Sequence, residues 1–132
     1  MKIHESAENY LEAIFVLSQI KDTVRSVDIA NELGFSRASV SNALKNLRTN
    51  GYIEPEESAS IKLTESGLAI AKSMYERHTL IADWLIFLGV DKQTAVQDAC
   101  KMEHAMSEES FVAIKEHIAE WKDDIYRKKA DK

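Results

Sequence analysis

The sequence predicts a mainly α protein in two parts: an N-terminal winged helix-turn-helix over residues 1–64 and an all-helical half over residues 65–132. Three observations carry that reading. Apolar residues recur at helical spacing along most of the chain. Two capped helical segments are separated only by Gly34-Phe35, the short glycine-bearing turn of a helix-turn-helix. After Gly51 the period changes: "YIEPEESASIKLT" alternates Tyr52 and Ile53, then Ile61 and Leu63, around a polar stretch with Pro55, which predicts two short strands and a turn.

The elements follow in order. Residues 8–20 place Leu11, Ile14, Phe15, Val16 and Leu17 at mixed three and four spacing, with Glu8 and Glu12 in the early turns, an amphipathic helix. Ser26 opens "SVDIANEL" as an N-cap, with Val27, Ile29, Ala30 and Leu33 directed inward and Gly34 as the stop. Ser36 caps "SRASVSNALKNLRTNG", whose apolar face is Val40, Ala43, Leu44 and Leu47 and whose end is the left-handed signal Asn50-Gly51. Thr64 reopens helix, and helical periodicity then runs to Gly89, with a break expected inside it.

Within that run Leu80, Ile81, Trp84, Leu85, Phe87 and Leu88 cover more than one narrow stripe. Such a helix is expected to bury two sides, one against its own core and one against a second subunit, with Leu80, Trp84, Leu85 and Leu88 as candidate dimer contacts. A helix holding "DACKMEHAM" follows. Ser107 then caps another that begins with Glu108 and Glu109, where acids favour the positive helix end. The tail "YRKKADK" is expected to fray.

With 132 residues and 45% hydrophobic content, the chain can bury one moderate core, or a core with a small satellite. A single cysteine has no intrachain partner, which argues against a secreted disulfide scaffold. "MKIHESAENY" carries acids where a signal peptide needs an apolar run. The longest apolar stretch, "LIADWLIFLGV", is too short to span a bilayer and is broken by Asp83. The expectation is a cytoplasmic protein with no membrane partner.

A net charge of −5 does not favour nucleic acid, yet residues 33–53 contain no acid and carry Arg37, Lys45 and Arg48. A recognition helix needs small or hydrogen-bonding side chains at its start and cations for the flanking phosphates. The exposed face of the Ser36 helix offers Ser36, Arg37, Ala38, Ser39, Ser41, Asn42, Lys45 and Asn46, and Lys62 in the wing could reach the adjacent backbone.

A second constellation lies in residues 98–107, "DACKMEHAMS". At ~100° per residue, Cys100, Glu103 and His104 fall within one sector of a helix, so their donor atoms can converge. Thiolate, carboxylate and imidazole together suit a first-row divalent cation. Three groups on one helix do not complete a coordination shell. His78 in the long helix, and Asn9 and Glu12 one turn apart in the first helix, are available to add to it. The plainer reading of each stands beside this: a cysteine in the core, a solvated glutamate, a histidine facing water. His4 and His117 have no comparable neighbours and read as surface residues.

Taken together, "ENYLEAIFVL", "VDIANELGFSRASVSNALKNLRTNGYI", "LTESG", the Arg77-His78 pair and "DACKMEHAMS" resemble the iron-dependent repressor family, typified by the diphtheria toxin repressor and the manganese transport regulator. The resemblance implies that the helical half serves dimerisation and metal binding. It implies metal ligands at Asn9, Glu12, His78, Cys100, Glu103 and His104, a Mn(II) or Fe(II) cofactor, and binding of double-stranded operator DNA as a homodimer. Asn9 stands where iron-type members have a methionine and manganese-type members an aspartate. Cys100 is similar to the iron-type choice, Glu12 to the manganese-type one. Ala82 and Val96 occupy positions where iron-type members carry an ancillary glutamate and histidine, so that second site is expected to be missing. No SH3-like domain is expected after residue 132, which resembles the shorter, manganese-type form. It further implies that a cation held between the first helix and the helical half sets the distance between the recognition helices of a dimer, which meet half-sites about 34 Å or a related spacing apart.

Two other readings compete. One is a winged-helix regulator answering an organic effector or none. The other is a metalloenzyme with Cys100 as nucleophile and His104 as base, which lacks an orienting third group, a glycine-rich phosphate loop and an oxyanion-hole motif.

Overall fold

The computed structural model describes residues 5–55 and 60–130; His4 and part of the wing turn lie outside them. Among the described residues there are six helices: α1 (Glu5–Ile20), α2 (Ser26–Leu33), α3 (Arg37–Thr49), α4 (Glu65–Phe87), α5 (Lys92–Ala105) and α6 (Glu108–Ala130). They fall into two compact units, residues 1–75 and 76–132. The sequence boundary near Thr64 marks where extended backbone gives way to helix. Packing passes from one unit to the next later, because Ile70 and Ala71 of α4 belong to the core of the first unit.

In the first unit, Tyr10, Leu11, Ile14 and Leu17 of α1 meet Ile29 and Ala30 of α2 and Val40, Leu44 and Leu47 of α3. The spacing of these residues is the helical one the sequence shows, and their burial is what holds three short helices that would be marginal alone. Val27, expected to face inward, is exposed. It lies two residues from Ile29, on the opposite side of a short helix whose single buried stripe Ile29 and Ala30 already occupy.

The N-cap of α2 is Arg25 rather than Ser26. The reason is Asp28: its carboxylate accepts the Arg25 N–H at 2.9 Å and pairs with the Lys21 ammonium at 2.8 Å, so the third residue of the helix supplies the cap. At the other end Gly34 adopts φ 71° and donates its N–H to the Ala30 carbonyl at 2.9 Å, which turns the chain sharply into α3. Ser36 caps α3 as expected, accepting the Ser39 N–H at 3.2 Å. The left-handed residue at its far end is Gly51, φ 77°.

The expected pair of wing strands is reduced to one antiparallel bridge, Ile53 with Leu63. Two backbone bonds flank it, Glu54 N–H to the Lys62 carbonyl at 2.8 Å and Thr64 N–H to the Tyr52 carbonyl at 3.1 Å. Pro55 has no N–H to extend the ladder. The returning arm turns instead to the segment before α2: Ile61 donates to the Val24 carbonyl at 2.8 Å, and Val24 donates to Ser60 Oγ at 2.9 Å.

Thr64 then caps α4 through the Gly67 N–H, 3.2 Å. The break expected within α4 is absent, because residues 68–87 contain neither glycine nor proline.

The second unit is built from the remainder of α4 with α5 and α6. Ile81, Ala82 and Ala99 are buried with Leu85, Met102 and Met106 packed on them, and Phe111 and Ile118 of α6 are buried as well. Gly89, φ 102°, turns α4 into α5, and Asp91 caps α5. Ser107 caps α6 as expected, accepting the Ser110 N–H at 3.1 Å. The tail expected to fray continues α6 to Ala130. Asp131 and Lys132, the last residues of that tail, lie outside the described residues.

Candidate metal centre and DNA-reading helix

On α3, Val40, Leu44 and Leu47 turn into the core, so helical periodicity leaves Arg37, Ala38, Ser41, Asn42, Lys45 and Asn46 facing solvent. Ser36 and Ser39 are exposed too, but their hydroxyls bond each other at 3.0 Å and are engaged in the cap. Lys62 is exposed on the wing. Arg48, counted in the basic island, is half-buried, so the cations α3 presents are Arg37 and Lys45. A short glycine turn brings the start of α3 to the surface with its amides and small polar side chains outward, a form that fits a major groove.

In the second unit, α4 carries His78 and α5 carries Glu103 and His104. The Glu103 side chain is fully buried. His78 Nδ1 lies 3.1 Å from one of its carboxylate oxygens, and His104 Nε2 lies 3.1 Å from the other. The His104 side chain is itself 1% exposed, that of His78 24%. Burial pushes the Glu103 carboxyl upward, but His104 and His78 together outweigh it and hold the group below its ordinary value.

A buried carboxylate needs positive charge or hydrogen bonds around it. His78 and His104 stand at 3.1 Å from its two oxygens. Imidazole nitrogens and a carboxylate are also donors of the kind a first-row divalent cation takes. Metal bonds of ~2.1 Å to imidazole nitrogen and carboxylate oxygen put neighbouring donors about 3 Å apart, which is the spacing seen.

The remaining expected ligands are placed as follows. Cys100 is exposed and in no disulfide, one turn before Glu103 on α5. Asn9 and Glu12 are half-buried on α1 in the first unit. The ancillary-site positions Ala82 and Val96 are, respectively, a buried core residue and an exposed valine. Of the expected dimer contacts, Leu88 is 55% exposed, Leu80 and Trp84 are half-buried, and Leu85 packs on its own unit's core. Phe87, of the same apolar run, and its neighbour Ile86 are exposed as well.

Arg77 has a structural role that motif and spacing do not assign. It is 5% exposed, and its Nη1 donates to the carbonyls of Glu103 at 2.9 Å and Met106 at 2.7 Å. Its Nη2 pairs with Glu108 at 2.8 Å, and the guanidinium lies 5.1 Å from the Phe111 ring centre. The signal was present: Ala71, Met74, Arg77 and Ile81 follow one helical stripe, so the arginine stands on an apolar face.

An exposed reading helix with a wing, and a helical unit holding a buried carboxylate between imidazoles, define a metal-responsive DNA-binding regulator. Residues 2–59 match the family described as iron dependent repressor, N-terminal DNA binding domain, and residues 64–130 match its metal binding and dimerisation domain. An uncharacterized HTH-type transcriptional regulator of Methanocaldococcus jannaschii is 34% identical over 92% of this chain and 98% of its own length. The HTH-type transcriptional regulator MntR of Bacillus subtilis is 32% identical over 94% and 87%. A manganese-dependent transcriptional repressor solved in complex with manganese superposes with a TM-score of 0.77 at 26% identity, covering 86% of this chain. This chain spans about half of that repressor, 52%. The chain belongs to the iron-dependent repressor family. It is a metal-dependent transcriptional regulator of a family that binds DNA and dimerises, and the enzyme reading falls with that assignment. Among the described residues no helix is long and apolar enough to cross a membrane.

Proposed function

We propose that this chain represses metal-uptake genes in the cytoplasm, binding double-stranded operator DNA as a homodimer when loaded with Mn(II) or Fe(II). The observation that carries the metal is Glu103, fully buried with two imidazole nitrogens at 3.1 Å. His78 and Glu103 are the ligands this geometry supports best; His104 is added on its 3.1 Å contact with Glu103 and on the likeness to the family. Cys100 joins them on its place one turn earlier in the same helix. Asn9 and Glu12 rest on the residue-by-residue likeness to the family. A solved relative whose description names manganese favours Mn(II) over Fe(II). When bound, the cation supplies the positive charge that the buried carboxylate and a thiolate require.

On the DNA side, Arg37 and Lys45 of α3 and Lys62 of the wing contact phosphates, while Ala38, Ser41, Asn42 and Asn46, with Ser36 and Ser39 at the cap, approach base edges. The test is DNA affinity measured at one salt concentration, on duplexes selected with manganese present, with Mn(II), Fe(II), Zn(II) or chelator added in turn. Affinity should rise at least tenfold with Mn(II) or Fe(II) over chelator in the natural chain and stay flat in Glu103→Ala. A flat response in the natural chain overturns the reading.

A further inference from the structure

Glu103 and His104 are consecutive residues, and on a regular helix consecutive side chains diverge by ~100°. Here their polar ends meet at 3.1 Å, so where both donors stand depends on how the short stretch of backbone that carries them is held. That backbone is the end of α5: the helix stops at Ala105, and Met106 is extended at φ −102°, ψ 146°. The last carbonyls of a helix have no partner within it, so an outside donor decides where they point.

Arg77 is that donor. One nitrogen, Nη1, bonds the carbonyl of Glu103 itself and that of Met106, the residue at which the helix ends. A guanidinium is planar and rigid, so two carbonyls on one nitrogen are held in fixed relation. The second arm of the fork is anchored to Glu108 in the first turn of α6, and Phe111 of α6 lies beside the guanidinium.

We propose that Arg77 is a positioning residue for the metal centre: it sets the geometry of the α5 terminus so that Glu103 and His104 present their donors to one cation. This rests on the reading of Glu103 and His104 as ligands. A positive charge this close would oppose a divalent cation through space, and Glu108 answers that by neutralising Arg77 from the far side. Positioning and repulsion therefore predict opposite signs. If positioning governs, removing the guanidinium weakens metal binding; if repulsion governs, removing it tightens binding.

The experiment measures Mn(II) and Co(II) affinity of the DNA-free chain by calorimetry, with the visible spectrum of bound Co(II) as a report on ligand geometry and the melting temperature of the metal-free chain as a report on folding. The variants are Arg77→Met, Arg77→Lys and Glu108→Gln, the last altering a partly exposed side chain that leaves both carbonyl bonds in place. Arg77→Met and Arg77→Lys should lose about tenfold to hundredfold in affinity and shift the Co(II) spectrum, the range usual for residues that orient ligands. Glu108→Gln should weaken affinity through the uncompensated charge without a spectral shift.

Metal affinity and Co(II) spectrum unchanged in the folded Arg77 variants, with only the melting temperature lowered, would make Arg77 merely structural and overturn the proposal; so would tighter binding in Arg77→Met. If one Arg77 variant does not fold, the other carries the test on the same affinity and spectral readouts. Glu103→Ala in parallel separates the two claims: metal bound as tightly there as in the natural chain removes the ligand reading itself, whereas its loss beside unaltered Arg77 variants removes only the present inference.

Discussion

A Cβ on Gly67 would stand 2.0 Å from the carbonyl oxygen of Tyr52, so any side chain at that position forces the wing and the first turn of α4 apart. We expect Gly67→Ala to cost about 1–3 kcal/mol, as overpacking does, seen as a lower urea midpoint with an unchanged slope. Asp28 acts in the opposite way, through a side chain that is present. The Lys21 ammonium, and after it the Arg25 N–H, hold its carboxyl below the ordinary aspartate value. A folded value below the unfolded one means a contribution complete above the unfolded value and lost as pH falls through the folded one. Carboxyl NMR titration should give Asp28 a midpoint below an ordinary aspartate, and Lys21→Met should raise it. At this scale the sequence was informative where chemistry follows spacing: Glu103 and His104 could be grouped with Cys100 because all three ride one helix. It was silent on the bond from Arg77 to the end of α5, because nothing in a string of residues separates a solvated arginine from one folded over a distant carbonyl.

Capping explains why some element ends were legible and others were not. Ser36, Thr64 and Ser107 each accept an N–H from the residue three further on, and each stood in the sequence as an N-cap type before a helical run. At α2 the same rule named Ser26, while Asp28 three residues inside the cap supplied the acceptor. Ser36→Ala should therefore lower stability by about 1 kcal/mol and Ser36→Gly by only a few tenths, measured as shifts in thermal midpoint. The wing misled for a different reason. Alternating residues signalled two strands, but strand length depends on the partner, and after Pro55 the returning arm bonds through Ser60 and Ile61 to Val24 rather than extending a ladder. The break expected in α4 failed similarly: apolar residues on several faces of a helix signal more than one neighbour, not an interruption.

For the molecule as a whole, the division into a reader and a helical half was legible from the change of period at Gly51 and its return at Thr64. Where the two compact units part company was not, since only folding shows that Ala71 packs with α1 to α3. Two expectations belong to this scale. Lys45→Ala should reduce the dependence of DNA affinity on salt by about one unit of log-log slope per lost phosphate contact, hence about two for a dimer, and weaken all sequences alike. Leu88→Lys, on an apolar surface with Ile86 and Phe87 exposed beside it, should weaken self-association at least tenfold by sedimentation while leaving the fold of each subunit intact. The tether from Ile61 and Ser60 to Val24 has a consequence for the proposed recognition: the backbone on either side of Lys62 is moored to the segment that leads into α2, so this lysine takes its station as the chain folds.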